Sequence, residues 1–293
     1  MNQNLKFKNY NCFSCNKSNS KSTKYKRSAF GFDFTILKCI NCKSQFIDKI
    51  PSNQSTYDYI YDFGGRDSKV NLNSIFTILR LQKAKYFIKN SCEEYLYDTY
   101  SILDYGAGDG YLSYAFHKIN PNLKVFATDY LYFKNDFFEN IDFIPFEKFE
   151  EDKNKFDLII LRHVLEHIEN PFLLIKNLLN KLNQNGAILI EVPNHNPQSN
   201  IFLKLFGKSY NQIGIPWHFN HFTKEDFELN LPNNYLKFSR NSIPVLGNSL
   251  LMWLFPSKIF FDGAGFAALV FYPFQFIVDK ISRSYTALVV KIK

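Results

Sequence analysis

Four cysteines form two pairs of equal spacing, Cys12 with Cys15 and Cys39 with Cys42, separated by 23 residues. A two-residue spacer lets both thiolates of a pair reach one ion, and two such knuckles complete a tetrahedral zinc site with Zn–S bonds of about 2.3 Å. Four thiolates leave no position open to water, so this zinc is expected to hold the fold and take no part in a reaction. The opening residues, MNQNLKFKNYNCF, contain no apolar run of a secretory signal. That points to a reducing, cytoplasmic setting in which paired cysteines bind metal and do not form disulfides. Cys92 stands outside the pattern and reads as a packed thiol.

A second group is ILDYGAGDG at 102–110, where Asp104 ends an apolar run and Gly106, Gly108 and Gly110 alternate with Ala107 and Asp109. Glycines at that spacing let the backbone pass close to a ligand. A third group is the set His163, His167, His195, His218 and His221, all beyond the loop in sequence. Histidine is the natural side chain to remove a proton near neutral pH, and His167 and His218 are the two candidate bases. His163, Glu166 and His167 also stand at i, i+3 and i+4. On a helical turn they would share one face and could hold a divalent ion, the alternative being a structural Glu–His pair in the wall of a site.

Elements must bring these groups together. Apolar residues recurring from Val70 to Ile88 predict a helix over 68–90. Apolar runs at 101–105, 124–129, 141–144, 156–161 and 187–192 read as strands. Helices are expected over 110–119 and from Asn170 and Pro171, as N-cap and first helical residue, to about NQNG at 183–186. This alternation argues for an α/β, Rossmann-like, doubly wound and mostly parallel sheet. In such a sheet the ligand lies beyond the carboxyl ends of the strands, where the glycine loop falls. Asp129 ends the second strand, 19 residues after Gly110, placed to accept both hydroxyls of a ribose.

These features fit NAD and S-adenosylmethionine alike, and three others separate them. The glycines read G-x-G-x-G and not the G-x-G-x-x-G of a pyrophosphate loop. No lysine follows as in a P-loop. Asp104 and Asp109 would face a dinucleotide's phosphates, each pair costing about 3 kcal/mol at ~5 Å and an effective dielectric constant of 20. S-adenosylmethionine instead brings a sulfonium and an ammonium, which carboxylates attract.

With these residues the sequence resembles the class I S-adenosylmethionine-dependent methyltransferases. LDYGAGDG resembles their first motif and Asp129 their ribose-binding acid. FDLIILRHVLEHIENPFLLIKNLLNKLNQNGAILIEVPN resembles their fourth through fifth strands, and PWHFNHFTKEDF at 216–227 their histidine segment before the sixth. The resemblance runs over 70–237 plus ALVVKIK at the end of the chain. It implies a seven-stranded sheet with an antiparallel last strand, and a cofactor lined by the Arg162 backbone. A zinc ribbon at 1–50, a linker at 51–67 and such a domain at 68–293 resemble, as a set, methyltransferases that modify sugars in antibiotic and cell-envelope pathways. The implied acceptor is a small molecule or glycan, through a sugar hydroxyl or carbon, lipid-linked precursors included.

Residues 1–50 hold ten Lys and Arg against Asp33 and Asp48, an excess of eight that equals the net charge of the whole chain. A basic ribbon raises the alternative of an RNA methyltransferase that grips phosphates. Against nucleic acid stand the net charge of −2 that zinc with four thiolates contributes and the Ser- and Asn-rich setting of the lysines in NKSNSKSTKYKR. There is also no Asn/Asp-Pro-Pro-Tyr run after the fourth strand, and no Pro-Cys nucleophile. A hydrophobic insertion at about 241–280 contains two uncharged stretches, 241–257 and 263–278. Both are shorter than the ~20 residues of a spanning helix. They are expected to cap the site or form a homodimer surface, or else to touch the inner face of a membrane peripherally.

Overall fold

The computed structural model describes residues 5–63, 75–96, 100–130, 136–193, 214–232, 236–242 and 286–292. His195 and almost all of the 241–280 insertion lie outside the described residues.

The ribbon contains β1 (Phe7–Asn9), β2 (Ser20–Ala29), β3 (Phe32–Cys39), β4 (Gln45–Ile47) and β5 (Lys49–Pro51). β2 and β3 meet through Phe30 and Gly31, both at positive φ, the two-residue turn whose twist matches a hairpin. The ribbon's small core, with Phe34, Ile36 and Phe46 buried, also takes in Ile215 and Phe219 from far along the chain. The 51–67 segment, expected to be a linker, begins with helix α1 (Gln54–Phe63). Asn53 accepts the Thr56 N–H at 3.0 Å to cap it, and Thr56 and Ile60 are buried. Helix α2 (Ile75–Ser91) lies within the predicted 68–90 helix apart from its final residue.

The main sheet contains β6 (Ser101–Tyr105), β7 (Lys124–Thr128), β8 (Asp142–Phe143), β9 (Phe156–Arg162) and β10 (Leu182–Pro193), with α3 (Tyr111–Ile119) and α4 (Pro171–Leu179) between strands. After them come β11 (Asn220–His221), α5 (Lys224–Asn230), β12 (Leu236–Ser242) and β13 (Thr286–Ile292). The order is β12-β13-β10-β9-β6-β7-β8, seven strands as the resemblance implied. β13 is antiparallel to both neighbours, and the strands from β10 to β8 are parallel. β9 is apolar on both faces because helices cover both, Phe172 and Ile175 of α4 on one side and Ala115 and Phe116 of α3 on the other. Each such buried Phe or Ile contributes about 1.5–3 kcal/mol. Asp157 ties strand ends together, accepting the Ser101 N–H at 2.8 Å and the Asn183 amide at 2.8 Å.

α4 stops at Leu179, earlier than its sequence suggests, and β10 starts at Leu182. The Phe156 N–H bonds to the Lys181 carbonyl at 2.9 Å, which draws the chain onto β9. NQNG then becomes an irregularity inside β10, with Asn185 at φ 65° and the Gly186 Cα where a Cβ would sit 2.9 Å from the Phe156 carbonyl. Asn170 precedes α4 without a side-chain cap bond.

Candidate functional site

The glycine loop leaves β6 and folds back on β7, with the Gly106 and Ala107 N–H groups donating to the Thr128 carbonyl at 2.8 and 3.1 Å. Gly106 has φ 76°, and a Cβ there would fall 2.5 Å from Val164 Cγ2. The close approach pins the loop against the chain that follows β9. Gly108, also at positive φ, has nothing within 4 Å of where its Cβ would be, so its open face is free to lie against a ligand. Its N–H donates to Asp129 Oδ2 at 2.8 Å, which places the carboxylate at the loop's edge. Asp104 is 2% exposed and accepts the Ser113 hydroxyl at 2.6 Å. Burial pushes its pKa up to about 6, against the downward pull of that hydrogen bond and of Arg162. A buried carboxylate in that condition is suited to a cationic ligand, and the loop's own N–H groups are already spent on the Thr128 and Ala107 carbonyls and on Asp129, with no lysine beside them to hold a phosphate. The loop residues therefore fit S-adenosylmethionine. Asp109 points elsewhere, to Arg80 of α2 at 3.2 Å, an exposed pair.

Arg162 ends β9, and its side chain turns to Glu191, Nε donating to Oε1 at 2.8 Å. His163 follows at φ 56°. Its Nδ1 lies 3.3 Å from Glu166 Oε1 and its Nε2 3.2 Å from Glu191 Oε1. Desolvation among the groups packed around it would lower its pKa, but the hydrogen bonds to the two glutamates outweigh that and raise it to about 9. With both ring nitrogens facing carboxylates, His163 is a donor on each side and has none left for an incoming proton. Both glutamates are held below the usual carboxylate range by the same contacts, against their burial.

The helical face imagined for His163, Glu166 and His167 does not form. The turn Leu165–His167 is a short 3-10 helix entered through left-handed backbone at His163, and His163 meets Glu166 as the structural Glu–His pair that was the alternative. A different residue joins Glu166 and His167. His218 lies with its ring centroid 5.0 Å from that of His167, and one donor atom from each of Glu166, His167 and His218 falls within 4.8 Å of the others. His167 Nδ1 faces the Trp217 carbonyl at 2.8 Å, and the Phe219 N–H donates to the Glu166 carbonyl at 2.6 Å. Asn220 adds bonds to the Leu165 and Ile168 carbonyls at 3.0 and 2.7 Å. His221, also a candidate, is buried in β11.

The ribbon holds that segment in place. β11 pairs with β4, the Ile47 N–H donates to the Phe219 carbonyl at 3.0 Å, and Arg27 donates to the Ile215 carbonyl at 2.9 Å while covering the Trp217 ring. Cys12 Sγ lies 3.4 Å from Cys42 Sγ and Cys15 Sγ 3.5 Å from Cys39 Sγ, with all four within 4.8 Å. Tetrahedral zinc with 2.3 Å bonds sets sulfurs about 3.8 Å apart, so the four fit the ion. Backbone N–H groups of Ser14 and Cys15 point at Cys12, and those of Asn41 and Cys42 at Cys39, favouring the thiolates that zinc needs. Cys92 is a buried thiol, as expected.

Sequence reasoning missed Glu191 and Trp217. Glu191 carried a signal, since a charged residue within the apolar run AILIEV must find a buried partner. Trp217 carried none, because its carbonyl and not its ring does the orienting.

A family model described as a methyltransferase domain matches residues 71–231, more than half of the chain. No curated protein matches the sequence. Solved structures of similar fold include the plantazolicin methyltransferase BpumL in complex with a monoazolic desmethylPZN analog and SAH, 18% identical with a TM-score of 0.47 over 83% of this chain and 91% of that one. Another is coclaurine N-methyltransferase bound to N-methylheliamine and SAH, 13% identical with a TM-score of 0.48 over 73% and 70%. These likenesses concern the fold alone. The family match runs from α2 through α5 and so spans the glycine loop, Asp129 and the histidine segment; the chain belongs to this family and is an S-adenosylmethionine-dependent methyltransferase.

Proposed function

We propose that the enzyme methylates a small molecule or glycan, at a hydroxyl or carbon of a sugar, lipid-linked sugars included. The observation that carries this reading is the pairing of His167 with His218, ring against ring, a short turn after the chain that the cofactor loop rests on. Val164, three residues before His167, is the side chain on which Gly106 rests. Bound S-adenosylmethionine would supply a methyl group already on a good leaving group. The chain's own work is then to orient, and orientation alone is worth ~7–11 kcal/mol of barrier. Gly106, Gly108 and Gly110 shape the loop, Asp129 takes the ribose hydroxyls, Asp104 sets a negative potential while Asp109 is taken up by Arg80, and the Arg162 backbone closes the near side. His167 and His218 handle the acceptor's proton as it leaves, His163 being occupied on both nitrogens.

The ribbon supports a structural reading over RNA binding, because Arg27 and the β4 edge are turned inward onto the 215–221 segment. We assign the protein to the cytoplasm, with 241–280 as a cap, a dimer surface or a peripheral membrane contact. No helix among the described residues is long and apolar enough to cross a membrane. The test is to give the enzyme methyl-labelled S-adenosylmethionine with separated cell fractions. Label is expected in sugar-containing small molecules or envelope glycans, and incorporation into RNA alone would overturn the acceptor assignment.

A further inference from the structure

We propose that Glu166, His167 and His218 form a second metal site, separate from the four thiolates, for one divalent first-row ion such as Mn2+, Co2+ or Zn2+. The inference deepens the functional reading and rests on it, with one change of role: His167 and His218 act on the acceptor hydroxyl through the ion and do not take its proton themselves.

Three donors from two distant segments already lie within 4.8 Å of one another. Metal bonds of ~2.0–2.2 Å to nitrogen and oxygen would set such donors about 3–3.6 Å apart, a closure within reach of side-chain rotation. Glu166 is 1% exposed, and among the described residues its Oε2 has no hydrogen-bond partner while Oε1 faces His163. A buried carboxylate oxygen left without a donor is costly unless a cation takes it.

The surroundings look built to aim these donors. His167 Nδ1 is directed at the Trp217 carbonyl, the kind of second contact that orients a metal-bound imidazole. Gly214 lies under His218, where a Cβ would come within 2.3 Å of the ring, and its carbonyl accepts the His218 N–H at 2.8 Å. The Phe219 N–H and the Glu166 carbonyl then join the two donor segments directly at 2.6 Å. Two imidazoles and a carboxylate suit zinc, cobalt, manganese or ferrous iron better than magnesium, which prefers oxygen alone.

Three protein donors leave coordination positions open for the acceptor. A hydroxyl bound there is acidified, as water is on a catalytic zinc. Its proton passes to solvent, the oxygen forms the new bond to the methyl carbon, and the carbon–sulfur bond breaks to release the neutral thioether. No oxidation or reduction is involved.

The experiment uses the full chain, with the thiolate zinc retained and weaker sites stripped by mild chelation, titrated with Mn2+ by electron paramagnetic resonance. Mn2+ binds thiolates poorly, so it reports the nitrogen–oxygen site. One Mn2+ per chain is expected, with binding weakened at least tenfold in E166Q and in H218N. Zinc content and calorimetric binding of S-adenosylhomocysteine in both variants serve as the folding control and are expected to stay at wild-type level. The proposal is overturned if the wild type binds neither Mn2+ nor Co2+ while still binding S-adenosylhomocysteine, or if both variants bind Mn2+ as the wild type does. In either case the methyltransferase reading stands and the histidines act by taking the proton directly. Failure of the wild type to bind S-adenosylhomocysteine would count instead against the cofactor site.

Discussion

Asp104 sits at the end of β6 with its carboxylate in the protein interior and the Ser113 hydroxyl on one oxygen. Its folded-state pKa of about 6 lies above the ordinary 3.8. In the free enzyme its contribution to stability is therefore greatest at low pH and is lost as pH rises from about 4 through 6, opposite to a salt-bridged aspartate. The ammonium of a bound ligand, present in S-adenosylhomocysteine as in S-adenosylmethionine, should reverse this preference. Affinity for S-adenosylhomocysteine, measured by calorimetry, is expected to be level above pH 6 and to fall up to tenfold per pH unit below it, with the slope absent in Asp104→Asn. Asp129, held at the loop by the Gly108 N–H, is the second residue to test. Asp129→Ala is expected to lose at least tenfold in that affinity, and preferential binding of NAD by the wild type would overturn the cofactor assignment.

Among the elements, the β6–α3 loop separates structural from ligand-facing glycines. Gly106→Ala meets both a left-handed backbone and Val164, and should lower stability by about 1–3 kcal/mol in thermal melts. Gly108→Ala meets only the backbone cost, since its Cβ would enter open space. It should therefore weaken S-adenosylhomocysteine binding more than its smaller loss of stability explains; equal losses in the two variants would show that no ligand lies there. The ribbon is the other decisive element. Cys42 Sγ lies 3.1 Å from the Ser44 hydroxyl, which in turn bonds to Asp226, the residue that closes the capping box of α5 with Thr223. Zinc loss should thus be felt at the histidine segment. The double variant Cys39→Ser/Cys42→Ser is expected to lose the thiolate-bound zinc by elemental analysis and to raise amide exchange at 217–223. Unchanged metal content would refute the zinc ribbon.

In the molecule as a whole, a Rossmann-like sheet carries the glycine loop, and a ribbon from the other end of the sequence holds the segment that brings His218 beside Glu166 and His167. Much of this was legible without coordinates. β6 falls where its apolar run and the following glycines put it, because a buried strand and a positive-φ loop are written in neighbouring residues. The two knuckles were legible too, since a two-residue spacer almost dictates a shared ion. The His163–Glu166–His167 face was not, because i, i+3 spacing assumes a helix that the backbone at His163 refuses. Nor was α1, whose cap at Asn53 and buried Thr56 and Ile60 depend on the ribbon beneath it.

The alternation of strands and helices in the main sheet, the glycine loop with Asp129 beyond it, and the thiolate set could all be read without coordinates. Each is specified by residues close together in the chain. Tertiary structure alone decided that Glu191 would take Arg162 and His163, that β4 would pair with β11, and that His218 would stand beside Glu166 and His167. Those pairings join residues tens to more than a hundred positions apart, and spacing along a chain carries no record of which distant surfaces will exclude water together.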